Sequence, residues 1–122
     1  MKVLITGAAG FIGRHAALDL AAAGHDVDGV DAFTPYYDPA LKRSRTTDLV
    51  ARGIEVRDAN VGEFGRRDFE GYDAVVHLAA QPGVRASERD PWATIRENCA
   101  TFGAVIEASS MAGFPPFVYA SS

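Results

Sequence analysis

The sequence predicts an α/β fold: a doubly wound sheet of five parallel strands in the order 3-2-1-4-5, helices on both faces, and residues 1–122 in one domain. Three observations point there. Short runs rich in β-branched residues alternate with segments of helical periodicity, and the connections between them are short. The first run stops at a glycine-spaced turn, Gly7-Ala8-Ala9-Gly10-Phe11-Ile12-Gly13, and the chain resumes as helix. The second run ends in an acid, Asp31, 18 residues beyond Gly13.

The first strand, Lys2 to Ile5, is short and apolar, as a strand buried on both faces must be. Gly7 permits the tight turn out of it. Gly10 removes a Cβ where phosphates would approach backbone N–H groups, and Gly13 lets the next helix lie close. That helix, Phe11 to Ala23, directs its free amides and positive dipole end at the same spot, which suits a pyrophosphate. Arg14-His15 rather than Lys-Ser follows Gly13, so the turn is not a Walker A loop. The three-step spacing between Gly7 and Gly10 also differs from the commoner two-step dinucleotide fingerprint.

His25 to Asp31 reads as the second strand. An acid at a strand end about 20 residues past such a turn accepts hydrogen bonds from an adenosine ribose. It would also repel a 2′-phosphate by roughly 1–4 kcal/mol, which favours NAD over NADP. Ala32 and Phe33 add no compensating charge, although Lys42, Arg43 and Arg45 could approach if the intervening loop folds back.

Thr34-Pro35-Tyr36-Tyr37-Asp38-Pro39 is a loop, and Ala40 to Arg52 an amphipathic helix stopped by Gly53. Ile54 to Arg57 forms the third strand. Its exit, Asp58-Ala59-Asn60-Val61, is where an adenine ring would rest, with a side-chain oxygen to accept from the amino group. Glu63 to Phe69 reads as one short helix. Tyr72 to Ala80 is the fourth strand, ending in small residues that leave room for a ligand where the strand order reverses. Gln81 to Arg85 reads as a loop, Pro91 to Met111 as helix, and Phe117 to Ala120 as the fifth strand.

Composition narrows the function classes. A net charge of −4 argues against nucleic acid as the main partner, and the seven basic residues between Lys42 and Arg67 are mixed with acids, as on a solvated surface. No apolar run approaches the roughly 20 residues of a membrane helix. The single cysteine, Cys99, lies in an apolar helical stretch and reads as a small core residue; its being alone fits a cytoplasmic location. His15, His25 and His77 lack metal-ligand spacing, so no metal site is expected.

The glycine turn, Asp31, His77-Leu78-Ala79-Ala80 and Tyr119-Ala120-Ser121-Ser122 together resemble the extended short-chain dehydrogenase/reductase family, whose nucleotide-binding fold is Rossmann-like. The resemblance spans essentially the whole sequence. Within that family, Thr34 to Lys42 and Gln81 to Arg85 resemble UDP-glucuronate 4-epimerases. The resemblance implies tightly held NAD that takes a hydride from C4 of a UDP-sugar and returns it to the opposite face. It assigns Gly7, Gly10, Phe11, Ile12 and Gly13 to the pyrophosphate, Asp31 to the adenosine ribose and Lys42 to a phosphate or the ribose. Asn60 and Val61 would meet adenine, Leu78, Ala79 and Ala80 would pass beneath the cofactor, and Asn98 would prop the neighbouring backbone. Arg85 would contact substrate, and Ser122 stands where the family has its catalytic Ser/Thr.

Two departures qualify the resemblance. Asn60 stands where the family usually has Asp. The family's chemistry also needs a Tyr four residues before a Lys, whose cation lowers the phenol's pKa from about 10. The tyrosines are Tyr36, Tyr37, Tyr72 and Tyr119 and the lysines Lys2 and Lys42, so the motif is absent. The expectation is therefore an NAD-binding amino-terminal portion of an epimerase, without catalysis by itself and meeting UDP-sugar only within a complete enzyme. Two other readings stand beside it: a half-enzyme completed by a separate carboxy-terminal chain, and a structural fragment that self-associates through its bare fifth strand.

Overall fold

A computed structural model describes residues 1–35 and 38–121. Five strands, β1 (Lys2–Thr6), β2 (Asp26–Asp31), β3 (Glu55–Asp58), β4 (Ala74–His77) and β5 (Phe117–Tyr119), form one parallel sheet in the order β3-β2-β1-β4-β5. This is the predicted order.

The central strand explains the layering. Val3 and Ile5 point to one side, where Ala17 of α1 (Phe11–Ala22), Leu49 of α2 (Pro39–Ala51) and Ile54 close a core. Leu4 points to the other side and packs with Val75, Phe69 of α3 (Arg66–Phe69), and Val105 and Ala108 of α6 (Thr101–Met111). All three β1 side chains are at most 2% exposed, so helices cover both faces, as period-2 alternation in a doubly buried strand requires. Among the described residues no helix is long and apolar enough to cross a membrane.

Several elements differ from expectation. The face α1 buries is centred on Gly13 and Ala17, while Phe11 is 67% exposed at its start. The expected helix from Glu63 to Phe69 is two pieces, a 3-10 turn (Val61–Glu63) and α3, because Gly65 interrupts it and the Asp68 carboxylate accepts from the Gly65 amide at 3.0 Å to restart it. The fourth strand stops at His77 rather than Ala80: the Leu78 amide is shared between the Thr6 carbonyl, at 3.1 Å, and the Thr6 hydroxyl, and the Ala79 amide turns to that hydroxyl rather than to a β1 carbonyl.

Residues expected as loop begin a helix, α4 (Val84–Arg89), and α5 (Pro91–Ile95) runs through a π segment (Arg96–Ala100) into α6. Asp90 caps α5 by accepting from the Ala93 amide at 2.9 Å. Cys99 lies in the π segment and is exposed, not a core residue; the wider turn shifts the helical register on which that expectation rested.

Candidate functional site

The carboxyl ends of β1, β2 and β4 meet at one edge, and most of the residues singled out in the sequence lie at or beside it. The turn after β1 is fastened to β2: the Gly7 and Ala8 amides both donate to the Val30 carbonyl, at 2.8 and 3.2 Å. Gly7 has φ +73°, and a Cβ there would come within 2.8 Å of the Ala79 nitrogen. Gly7 thus serves close approach of β1 to the exit of β4 as well as the turn. A Cβ on Gly13 would overlap the Gly7 carbonyl oxygen, so the first turn of α1 lies directly on the loop. At Gly10 a Cβ meets only the Gly7 oxygen, at 3.0 Å, and the space beyond is open. Gly10 is the N-cap of α1 and brings no side chain to cover the amides of Phe11, Ile12 and Gly13.

Asp31 ends β2 with its side chain 5% exposed. Its Oδ2 accepts from the Ala9 amide at 3.1 Å, and its Oδ1 accepts from the Phe33 amide at 2.8 Å and from Lys42 Nζ at 2.9 Å. A carboxylate offers about four acceptor positions, so capacity remains for a further donor. Residues of α2 reach Asp31 and the glycine turn, an approach the sequence left open. Lys42 is only 12% exposed, Arg45 Nη1 donates to the Ala9 carbonyl at 3.3 Å, and the Arg43 guanidinium lies 5.6 Å from the Phe33 ring centroid. Lys42 and Arg45 thus depart from the solvated surface expected of this basic stretch.

Asn60 Oδ1 accepts from the Gly62 amide at 3.0 Å and so caps the 3-10 turn. Val61 is 5% exposed, its side chain in the core beside Phe69, so only its main chain faces a ligand. On the other side of β1, a cleft of about 330 Å³ is lined by Leu78, Ala79, Ala80, Asn98, Phe102 and Tyr119, among others. Asn98 sits in the π segment, accepts from the Gln81 amide at 2.7 Å and donates to the Gln81 carbonyl at 3.0 Å. It holds the backbone just after Ala80 in place. Arg85 is exposed in the first turn of α4, apart from these contacts. Ser122 lies outside the described residues, as do Tyr36 and Tyr37.

Sequence reasoning missed Thr6 and His77. The Thr6 hydroxyl accepts from the Leu78 and Ala79 amides, at 3.2 and 3.1 Å, and lies 2.8 Å from His77 Nδ1. With two N–H groups already aimed at the oxygen, the remaining proton goes to Nδ1, which requires neutral His77 carrying its proton on Nε2. Burial holds the imidazole below its ordinary pKa and maintains that state. The signal was present in Thr6 itself, a polar residue ending an otherwise apolar strand.

A larger hollow of about 620 Å³ runs over Gly65, Arg66, Arg67, Asp68 and Glu70. It is one face of a four-residue helix whose charges pair locally (Arg57–Asp68 at 2.9 Å, Arg66–Glu70 at 2.6 Å), and it gathers none of the residues above.

Residues 3–122 match the NAD dependent epimerase/dehydratase family. The UDP-glucuronate 4-epimerase 6 of Arabidopsis thaliana is 40% identical over 127 aligned residues, covering 100% of this chain and 28% of that protein. A probable UDP-glucuronate 4-epimerase of Rhizobium meliloti is 41% identical over 80% of this chain and 30% of its own length. The chain spans less than a third of the length of these curated relatives. Among solved structures, UDP-glucuronic acid 4-epimerase from Bacillus cereus, in complex with UDP-glucuronic acid and NAD, superposes with a TM-score of 0.90. It is 30% identical, with 100% of this chain and 40% of that one covered. UDP-glucose 4-epimerase from Thermus thermophilus, complexed with NAD, gives 0.83 at 32% identity, covering 100% and 38%.

Proposed function

The chain belongs to the NAD dependent epimerase/dehydratase family, and from that premise we propose that it is the NAD-binding portion of a nucleotide-sugar epimerase acting on UDP-glucuronate. The observation that carries this reading is the buried Asp31 carboxylate, bonded to the Ala9 amide of the glycine turn and so fixed beside the uncapped start of α1. Anions bind where free helix amides and a positive dipole end coincide, and a carboxylate one strand away takes ribose hydroxyls.

The residues fit the group. The open space before Gly10 is a cradle that any Cβ would narrow, and Gly7, Phe11, Ile12 and Gly13 complete it. Asp31 would take the adenosine ribose, and Lys42 would steady that carboxylate. Asn60 and the Val61 main chain would border adenine, Asn60 with the lone pair its capping bond leaves unused. Leu78, Ala79 and Ala80 would floor the other half, held by Thr6 and Asn98. NAD bound there supplies a reversible acceptor for hydride from the sugar. Ser122 would hydrogen-bond the reacting sugar oxygen, and Arg85 would reach the substrate. The sequence contains no Tyr-x-x-x-Lys to move the hydroxyl proton, so this chain alone binds without turning over.

Calorimetry and thermal melts with NAD test the reading. Ligand at 100 times Kd should stabilise the fold by about 2.7 kcal/mol, and Gly10→Val or Asp31→Ala should abolish the effect. UDP-glucuronate should remain unepimerised. An unshifted melt at millimolar NAD overturns the binding half, and turnover by the pure chain overturns the rest.

A further inference from the structure

We infer that His77 is a positioning residue for the dinucleotide: its neutral ring accepts the Thr6 hydroxyl proton and thereby holds Ala79 where it would floor the cofactor, so that NAD selects the deprotonated imidazole. The inference rests on the proposed dinucleotide site and deepens it. The Thr6 oxygen has two lone pairs and one proton. The Leu78 and Ala79 amides take the lone pairs, at 3.2 and 3.1 Å, and Nδ1 of His77 stands 2.8 Å away to take the proton. Thr6 is 0% exposed and His77 6%, so bulk water does not stand in for either partner.

A second ring proton breaks this arrangement. Imidazolium carries N–H at both nitrogens, so Nδ1 would aim a donor at an oxygen whose lone pairs are already taken, and the hydroxyl proton would lose its acceptor. One amide must then let go. Leu78 has a second acceptor in the Thr6 carbonyl, at 3.1 Å, whereas Ala79 has the hydroxyl alone among the described residues. The break therefore falls on Ala79. That residue lines the cleft on one side and lies against the glycine turn on the other, where a Cβ on Gly7 would come within 2.8 Å of its nitrogen. Releasing it disturbs both halves of the dinucleotide site. The His77 ring packs against Phe102 of α6 and Phe117 of β5, with centroids 5.7 and 5.9 Å apart, and the residue pairs in register with Thr6 and Tyr119. Tyr119 is the titratable group on β5; Lys2 of β1 is tied to Asp28 at the far end of its strand, and Glu107 of α6 is exposed. In the π segment Arg96 and Glu97 meet each other at 3.7 Å, and Cys99 is exposed. None of these groups supports a charge on the ring, and burial favours its neutral form.

Calorimetric NAD titrations at a series of pH values, joined with nitrogen NMR of the His77 ring, test the inference. The spectrum at neutral pH should show the proton on Nε2 alone. NAD affinity should fall as pH is carried downward from about 6.5, by about tenfold per pH unit at most. By linkage, saturating NAD should move the titration of His77 itself to lower pH. Two variants, their folding checked by circular dichroism, separate the acceptor from the proton. His77→Phe fills the place of the ring without an acceptor and should bind NAD at least about tenfold more weakly at neutral pH. His77→Asn offers an oxygen near the place of Nδ1 and should bind at least about threefold more tightly than His77→Phe. Neither should show the wild-type pH slope. The wild-type titrations and spectra need no variant, so they decide the matter even where a substitution unfolds the chain. NAD affinity that stays level down to the onset of acid unfolding, or a His77 titration that NAD does not move, overturns the role of His77 while leaving the proposed function intact. Failure of NAD to bind the wild type at neutral pH overturns both.

Discussion

Strand β2 carries an aspartate–lysine pair near each of its ends, and the two behave differently. At the amino-terminal edge of the sheet, Asp28 meets Lys2 at 3.2 Å with side chains 25% and 44% exposed. Tyr72 adds a hydroxyl donated to Asp28 at 2.8 Å, and Lys2 Nζ lies 5.2 Å from the Tyr72 ring centroid. Burial and the Asp28 carboxylate push the Tyr72 phenol pKa well up, so it stays a donor throughout the physiological range. At the carboxyl edge, Asp31 and Lys42 are almost fully buried, and the same carboxylate fixes two backbone amides of irregular chain. The lesson is that the contact itself carries little information. Burial and the backbone groups it organises distinguish a surface tie from a site.

That contrast can be broken by substitution. The largest effect is expected at Gly13→Val, where a side chain must displace the Gly7 carbonyl and hence the whole turn. A loss above about 4 kcal/mol, seen as a vanished or sharply earlier urea transition, is expected from backbone overlap of this kind. A normal transition would mean that the carboxyl edge yields as readily as its counterpart.

Next comes Asp31→Ala, which strands a largely buried ammonium and two amides; about 3 kcal/mol is expected in the same measurement. His77, at the carboxyl edge of β4, gives a pH signature. Because burial lowers its folded-state pKa, the unfolded chain binds the proton first. Its contribution is complete above the unfolded value near 6.5 and is lost as pH falls from there through the folded value, by at most about 1.4 kcal/mol per pH unit. His77→Phe should flatten that slope in denaturant titrations carried downward from about pH 6.5.

Asp28→Ala should have the smallest effect, about 1 kcal/mol, because its ion pair is partly open to water and the loss is chiefly the acceptor of the Tyr72 hydroxyl. A loss equal to that of Asp31→Ala would erase the distinction between the two edges.

The sequence by itself determined the strand order, the glycine turn and the acid at the end of β2, because period-2 burial, positive φ and strand-end chemistry are all local in the chain. It also placed Lys42, Arg43 and Arg45 conditionally near that acid. Only the tertiary structure decided that Lys42 closes on Asp31, since the loop between them carries no periodic pattern to fix its path. The same holds where β4 stops. The Thr6 hydroxyl takes amides 72 and 73 residues away, and no reading of Leu78 or Ala79 alone contains that partner. The π segment that turns Cys99 outward is a third case. Local pattern fixes which backbone forms the sheet, whereas contacts distant in sequence decide where each element ends and which charges it buries.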